Sequence, residues 1–255
     1  MLPAPCLIIS DVHLGVAPPD AERSLLRLLE LARTEAKSLI LNGDVFDFWF
    51  EWKQVMPRMG FRTLAALASL RDSGVPITWI AGNHDCWGGD ILSRDVGVDY
   101  HVGPWRGSIG RWNTLIEHGD GLRDVEDAPY RRLRRVLRNP LAIWAYRNLM
   151  HPDWATSIAR RSSHTSRHMR PRDGGEGLKR VALDRLSADP TLDLFVYGHT
   201  HASALARAGS GGVYANPGAW LDAPTCIRVN TDRIELVELA AAGLQVTSEL
   251  TKSER

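Results

Sequence analysis

Cysteine is scarce, with three in 255 residues, and Cys6, Cys86 and Cys226 are scattered and odd in number. That argues against a disulfide framework and favours a reducing cytoplasm. No apolar run approaches the roughly 20 residues that a membrane-spanning helix needs. The N-terminus has no basic segment followed by a longer apolar stretch, so no secretory signal is expected. Internal repeats and low-complexity tracts are missing too. The length is enough to bury a large core, as one enzyme domain carrying an insertion.

Five stretches share one grammar, an apolar run that ends abruptly in metal-binding residue types. They are Leu7-Ile8-Ile9-Ser10-Asp11-Val12-His13, Leu39-Ile40-Leu41-Asn42-Gly43-Asp44, Ile77-Thr78-Trp79-Ile80-Ala81-Gly82-Asn83-His84-Asp85, Leu115-Ile116-Glu117-His118-Gly119-Asp120 and Phe195-Val196-Tyr197-Gly198-His199-Thr200-His201. Short apolar runs stopped by glycine or a polar cluster read as buried strands. Each stop therefore puts its polar residues at a strand end. In an extended chain alternate side chains share a face, so Asp11 with His13, and His199 with His201, are expected to form pincers. Glycines 43, 82, 119 and 198 beside these positions supply tight turns and are expected to make room for ions and phosphate.

Carboxylate, imidazole and one amide oxygen, without thiolate, suit Mn(II), Fe or Zn, and Mg is disfavoured at a site so rich in histidine. Manganese is the first expectation. Seven donors exceed what one ion uses, whereas two ions roughly 3.5 to 4 Å apart can share a bridging carboxylate, for which Asp44 is the natural choice. Asp47, Asp120 and Asp222 are left outside the ligand set, and His101, His151, His164 and His168 lie outside the motifs.

The blocks Asp11-Val12-His13, Gly43-Asp44, Gly82-Asn83-His84-Asp85, His118-Gly119-Asp120 and Gly198-His199-Thr200-His201 resemble, in order, the five motifs of the calcineurin-like metallophosphoesterases. The resemblance implies an α/β fold of four α/β/β/α layers. It also implies one ion on Asp11, His13, Asp44 and His201 and a second on Asp44, Asn83, His118 and His199. His84 would face the substrate, with Asp85 orienting its ring. Such a pair of ions supplies a water nucleophile at neutral pH and neutralises phosphoryl charge, and a protonated His84 can assist the departing oxygen.

Apolar spacing predicts helices over Asp20 to Ala36, Arg62 to Arg71 and Gly177 to Leu186. Strands are expected over Asp193 to Tyr197, Gly212 to Ala215, Cys226 to Asn230 and Ile234 to Leu239. Residues 1–122 and 173–255 form the expected core, and 123–172 an inserted helical cap.

The net charge of +1 conceals a polarised molecule: Arg131 to Arg172 holds eleven arginines, no lysine and one acid, Asp153, so it carries +10 and the remainder −9. Pro129, Pro140 and Pro152 mark starts of two or three short amphipathic helices. Tyr130, Leu133 and Leu137, then Leu141, Trp144 and Asn148, recur with helical spacing. Trp144, Tyr146, Leu149, Met150, Trp154 and Ile158 add apolar surface beyond a phosphate clamp's needs. Basic plus apolar fits a cap over an anionic lipid, or one resting on an acidic inner-leaflet surface. A solvated basic face and a nucleic-acid stripe are the competing readings. The position directly after His118-Gly119-Asp120 favours the lipid, and no nucleic acid is expected.

His118-Gly119-Asp120, Asp127, Tyr130 and Arg134-Arg135-Val136, with Asp44 to Trp49 and Gly218-Ala219-Trp220, resemble more narrowly the UDP-2,3-diacylglucosamine hydrolases of lipid A synthesis. This implies a cytoplasmic enzyme, peripheral on the inner membrane, that cleaves a lipid-linked nucleotide sugar to UMP and 2,3-diacylglucosamine 1-phosphate. By resemblance Asp127 and Tyr130 help bind sugar or diphosphate, while Arg161, Ser163, Ser166 and Arg167 face the head group. Two departures stand out: His84 replaces an arginine, and arginine replaces lysine in the last cap helix. The rivals are a phosphoesterase for soluble esters on the same metals and a scaffold without catalysis. The intact ligand set argues against the scaffold.

Overall fold

Strands and amphipathic helices alternate through the first third of the chain: β1 (Cys6–Ile9), α1 (Asp20–Glu35), β2 (Ser38–Asn42), α2 (Phe61–Asp72) and β3 (Ile77–Ile80). The computed structural model describes all residues except 19, 124–126, 168–172, 222 and 253–255, and for 160–167 it describes the backbone alone. Helix α1 opens on Asp20 and Glu22 and ends with Arg33, the charge order its dipole favours, and it buries Leu25, Leu28, Leu29 and Ala32. Strands β1, β2 and β3 run parallel with β4 (Asp99–His101), in a register that sets Ile8 beside Ile40 and Leu41 beside Trp79. On its other side β1 pairs antiparallel with β10 (Thr225–Val229), followed outward by β11 (Arg233–Ala240) and β12 (Gly243–Thr251). The second sheet has five strands in the order β5 (Trp105–Ile109), β6 (Trp112–Ile116), β7 (Leu194–Val196), β9 (Val213–Asn216) and β8 (Ala204–Arg207).

The two-residue period of the strands sets the layers. Leu7, Ile9, Leu39 and Leu41 pack with α1 and α2. Their neighbours Ile8 and Ile40 face Trp112, Ile116, Leu194 and Val196 of the second sheet. Phe195 and Tyr197 turn the other way onto Leu178, Ala182 and Leu186 of α6 (Glu176–Ala188). The result is the expected four-layer α/β/β/α sandwich. The expected helices and strands fall within about two residues of those found, as is usual for element ends. Strand β12, by contrast, lies in a tail that has no clean apolar alternation.

Between β6 and α6 the chain forms α3 (Ala128–Leu137), α4 (Pro140–Leu149) and α5 (Pro152–Arg167). Asn139 caps α4, its side chain accepting from Leu141 and Ala142 amides at 2.9 and 3.3 Å. The three prolines fall in the first turns, as their fixed φ and missing donor allow. The inward stripe of α4 is Ile143, Tyr146 and Met150, packed on Phe48, Phe50 and Trp52. Leu141, Trp144, Leu149 and Trp154 are 77%, 57%, 72% and 73% exposed. Tyr146 donates to the Ala155 carbonyl at 2.7 Å and Arg147 lies over the Phe50 ring at 5.4 Å, which fixes the roll of α4.

Candidate active site

All five ligand-bearing loops leave the carboxyl ends of strands that run parallel within their own sheet, Asp11 and His13 after β1, Asp44 after β2, Asn83 and His84 after β3 in the first, and His118 after β6 and His199 and His201 after β7 in the second. Among the described residues, five without a glycine's freedom have positive φ: Asp11 (53°), His13 (51°), Asp44 (54°), His199 (62°) and His201 (59°). Every one is an expected ligand. The pincers therefore do not come from extended alternation, as the sequence suggested; each strand ends first, and left-handed turns aim the side chains. Each such turn costs on the order of 1 kcal/mol, and persists because its surroundings fix it. Asp11 and His13 amides donate to the Gly43 and Asp44 carbonyls at 3.1 and 2.9 Å, and the His199 amide donates to Asp11 Oδ2 at 2.9 Å.

Gly43 and Gly82 explain how the loops approach. A Cβ on Gly43 would lie 2.7 Å from the Gly82 backbone and 2.5 Å from His118 Nδ1, and one on Gly82 would strike Asp44. These two glycines make room for each other and for the ligands, rather than for ion and phosphate.

Each central carboxylate divides its work. Asp11 Oδ2 is held by Ser10 and the His199 amide, and Asp44 Oδ1 accepts from the His84 amide at 2.9 Å. Their other oxygens face imidazoles. Asp11 Oδ1 lies 3.5 Å from His201 Nε2, and Asp44 Oδ2 lies 3.2 Å from His118 Nε2 and 4.0 Å from both His13 and His84. Donor atoms of Asp11, His13 and His201 lie within 4.8 Å of one another, as do those of Asp44, His118 and His199, and those of His13, Asp44 and His84. Asp44 thus sits between two clusters, where a bridging carboxylate belongs. Asp11 Oδ1, His13 Nδ1, His118 Nε2 and Asn83 Oδ1 are buried without a hydrogen-bond partner. Carboxylate, amide-oxygen and imidazole donors buried beside one another fit divalent cations.

Electrostatics agree. Burial would raise the Asp11 carboxyl, but His118 and His201 outweigh it and hold it at about 2. Burial pulls His118 down, yet Asp44 and Asp11 prevail and raise it well above its ordinary value. His13 and His199, mainly through burial, are pushed to about 3 and about 4. In the metal-free protein the carboxylates thus recruit a proton onto His118 that a divalent ion would displace. The His118 ring is aimed by Nδ1, 2.9 Å from the Asn42 carbonyl, leaving Nε2 toward the carboxylates.

His84 lies beside the cluster, its Nε2 4.0 Å from Asp44 Oδ2, but Asp85 is not its orienter. The Asp85 carboxylate accepts from the Gly82 and Val45 amides at 2.7 and 2.9 Å, locking two ligand loops together. His84 Nδ1 instead meets the Asp47 carbonyl at 2.7 Å. Asp127 and Tyr130 also have partners. Asp127 takes Arg123 through Nη2 at 2.7 Å and through its backbone amide at 3.0 Å, and Tyr130 donates to Asp120 Oδ2 at 2.7 Å. Burial would raise Asp120, but His118 and Arg138 hold it low. The side chains of Arg161, Ser163, Ser166 and Arg167, like that of His164, lie outside the described residues, as do His168 and Asp222. His101 pairs with Asp99 at 2.8 Å, away from the cluster. Sequence reasoning missed Asn216, whose amide donates to the Gly198 carbonyl and Thr200 Oγ at 3.0 and 3.1 Å while its Oδ1 accepts from Gly218 at 2.9 Å. The Asn-Pro-Gly run that ends β9 was its signal.

Beside the cluster opens a cavity of about 440 Å³. Asn83, His84 and Asp47 form its floor, and Leu133, Leu137, Ile143, Tyr146 and Ile158 form apolar walls from α3, α4 and α5.

This cluster and the fold beneath it are those of the calcineurin-like phosphoesterases, a family to which the chain belongs, matching its model over residues 4–203. It is therefore a metal-dependent hydrolase. More narrowly, it is 34% identical over 213 residues to the UDP-2,3-diacylglucosamine hydrolase of Porphyromonas gingivalis, covering 75% of this chain and 81% of the relative. The protein of that name from Edwardsiella ictaluri is 30% identical over 244 residues, 92% of each chain, and that of Ectopseudomonas mendocina 32% over 203 residues, 78% of this chain and 82% of the relative.

Proposed function

We propose that the chain hydrolyses the pyrophosphate of UDP-2,3-diacylglucosamine, giving UMP and 2,3-diacylglucosamine 1-phosphate. The observation that carries this reading is the shared wall of cluster and cavity: Asn83 and His84 line a chamber whose other walls are apolar. Walls of this kind suit acyl chains. The names of the relatives support the same substrate. The α3 to α5 segment then acts as a cap.

Asp11, His13, Asp44 and His201 would hold one ion and Asp44, Asn83, His118 and His199 the other. Two divalent cations supply an activated water and neutralise charge on the phosphoryl oxygens. Manganese is our choice on donor type, with iron and zinc as alternatives. Asp44 contributes the shared carboxylate. His84, its Nδ1 held at the Asp47 carbonyl, would face the substrate and assist the departing oxygen. Arg161, Ser163, Ser166 and Arg167 of α5 are assigned to the head group.

No helix among the described residues is long and apolar enough to cross a membrane. The outward Leu141, Trp144, Leu149 and Trp154, on a segment carrying +10, suit a peripheral seat on an anionic inner leaflet. The test is hydrolysis of UDP-2,3-diacylglucosamine by metal-stripped protein resupplied with Mn(II), Zn or Mg, with product masses recorded. UMP and lipid phosphate, dependent on added metal, are expected. Metal-dependent cleavage of a generic phosphodiester without turnover of the lipid would sink the substrate and leave the metal chemistry standing.

A further inference from the structure

Asp120, two residues past the ligand His118, is 7% exposed and takes part in neither cluster of donors. Among the described residues, the hydrogen bonds it accepts come from α3 and the residue that ends it. Tyr130 Oη donates to its Oδ2 at 2.7 Å, Arg138 Nη2 donates to the same oxygen at 3.3 Å, and Arg134 Nη1 donates to its backbone carbonyl at 3.0 Å with Oδ2 3.5 Å away. Residues 130, 134 and 138 are spaced by four, so they form one stripe along the helix. The neighbouring stripe, Leu133 and Leu137, is cavity wall. At the far end of α3, Trp87 Nε1 donates to the Leu137 carbonyl at 2.9 Å, from a loop that begins at His84. Helix α3 has no fully buried residue of its own to hold it.

We propose that Asp120 is a positioning residue that sets the roll of α3, and with it the shape of the apolar wall facing the metals. One carboxylate collects a hydroxyl and two guanidinium groups from a single face, so the opposite choice of face would leave a buried charge unpaired. The Tyr130 ring also lines the cavity, and its hydroxyl proton is engaged in the latch. Specificity for a bulky apolar substrate, rather than the hydrolytic step itself, depends on Asp120.

The proposal rests on the lipid reading above, and its test separates the two. Asp120→Ala and Arg138→Gln are assayed on UDP-2,3-diacylglucosamine and on a small chromogenic phosphodiester, with bound metal counted and hydrogen exchange of residues 128–138 followed. Loss of about 10-fold or more in kcat/KM on the lipid, of the size that outer-shell changes produce, with the small ester and the metal content unchanged and faster exchange in α3, is expected. Tyr130→Phe should add nothing to Asp120→Ala, since partners in one contact are not additive. Equal loss on both substrates, loss of metal, unchanged exchange in α3, or an additive Tyr130→Phe would overturn it. Arg138→Gln keeps the test open if Asp120→Ala does not fold. If the wild-type protein does not turn over the lipid, the substrate assignment fails, and α3 exchange alone decides the latch.

Discussion

The ligand cluster and the α3 to α5 segment meet at one cavity but are held by different means. Asp11, His13, Asp44 and His118 are at most 2% exposed, and their loops are fixed by amides, carbonyls and facing glycines. Neither α3 nor α4 has a single fully buried residue, and their grip on the core is a few aromatic contacts and a set of charged hydrogen bonds. On the proposed function, chemistry would sit in the tightly fixed part of the molecule and choice of substrate in the loosely held one.

The largest effect that would sharpen this contrast is expected from Asp44→Ala. It removes the shared carboxylate and should cost more than about 100-fold in kcat on any phosphoester, beyond the loss typical of outer-shell partners. Atomic absorption of the purified variant should show metal lost alongside; full metal content with normal rate would break the bridge assignment.

Next is Ile143→Glu. A carboxylate pointed into the apolar wall has no partner there and carries a desolvation penalty of a few kcal/mol. The KM for a diacyl substrate should rise about 10-fold or more, while a small phosphodiester is hydrolysed as before. Parallel loss on both would mean the cluster and the wall are one unit.

A pH effect should be visible in the segment. Burial would raise the Asp127 carboxyl, but hydrogen bonds from Arg123 outweigh it and hold it below its ordinary value. A depressed carboxyl stabilises the fold above the unfolded value of about 3.9 and loses that contribution as pH falls through the folded one. Hydrogen exchange of residues 128–159 should accelerate as pH drops below about 4, after correction for intrinsic rates. Asp127→Asn should weaken that dependence and leave the part due to Asp120, and an unchanged profile would count against it.

The smallest effect is expected from Trp154→Ala. At 73% exposure it should shift unfolding free energy by no more than about 0.5 kcal/mol. Sedimentation with anionic vesicles should nevertheless weaken, and binding equal to that of the parent would remove Trp154 from the membrane seat.

The same contrast governs what could be read from the sequence. Ligand identities were legible because each follows an apolar run stopped by glycine or polar residues, a pattern imposed by buried strands. Their left-handed backbone was not, since Asp and His adopt φ > 0 only where tertiary contacts demand it. Asp85 was misread for a related reason: adjacency to His84 suggested a partner, whereas its true donors, Gly82 and Val45, belong to two different loops. In α4, Leu141, Trp144 and Leu149 compete with Ile143, Tyr146 and Met150 for the apolar face. Periodicity alone does not choose between two apolar stripes when one is turned away from the core. Asn216 went unnoticed because its hydrogen bonds reach the His199 loop across the fold.

Strand β1 lies between β2 and β10, and the ligands it launches, Asp11 and His13, meet partners from residues 199 and 201. On a ribosome moving at about 5–20 residues per second, His201 emerges roughly 10 to 40 s after His13. Each ion site that the ligand set would build takes a donor from residue 199 or 201, so neither would be complete until that stretch has been made.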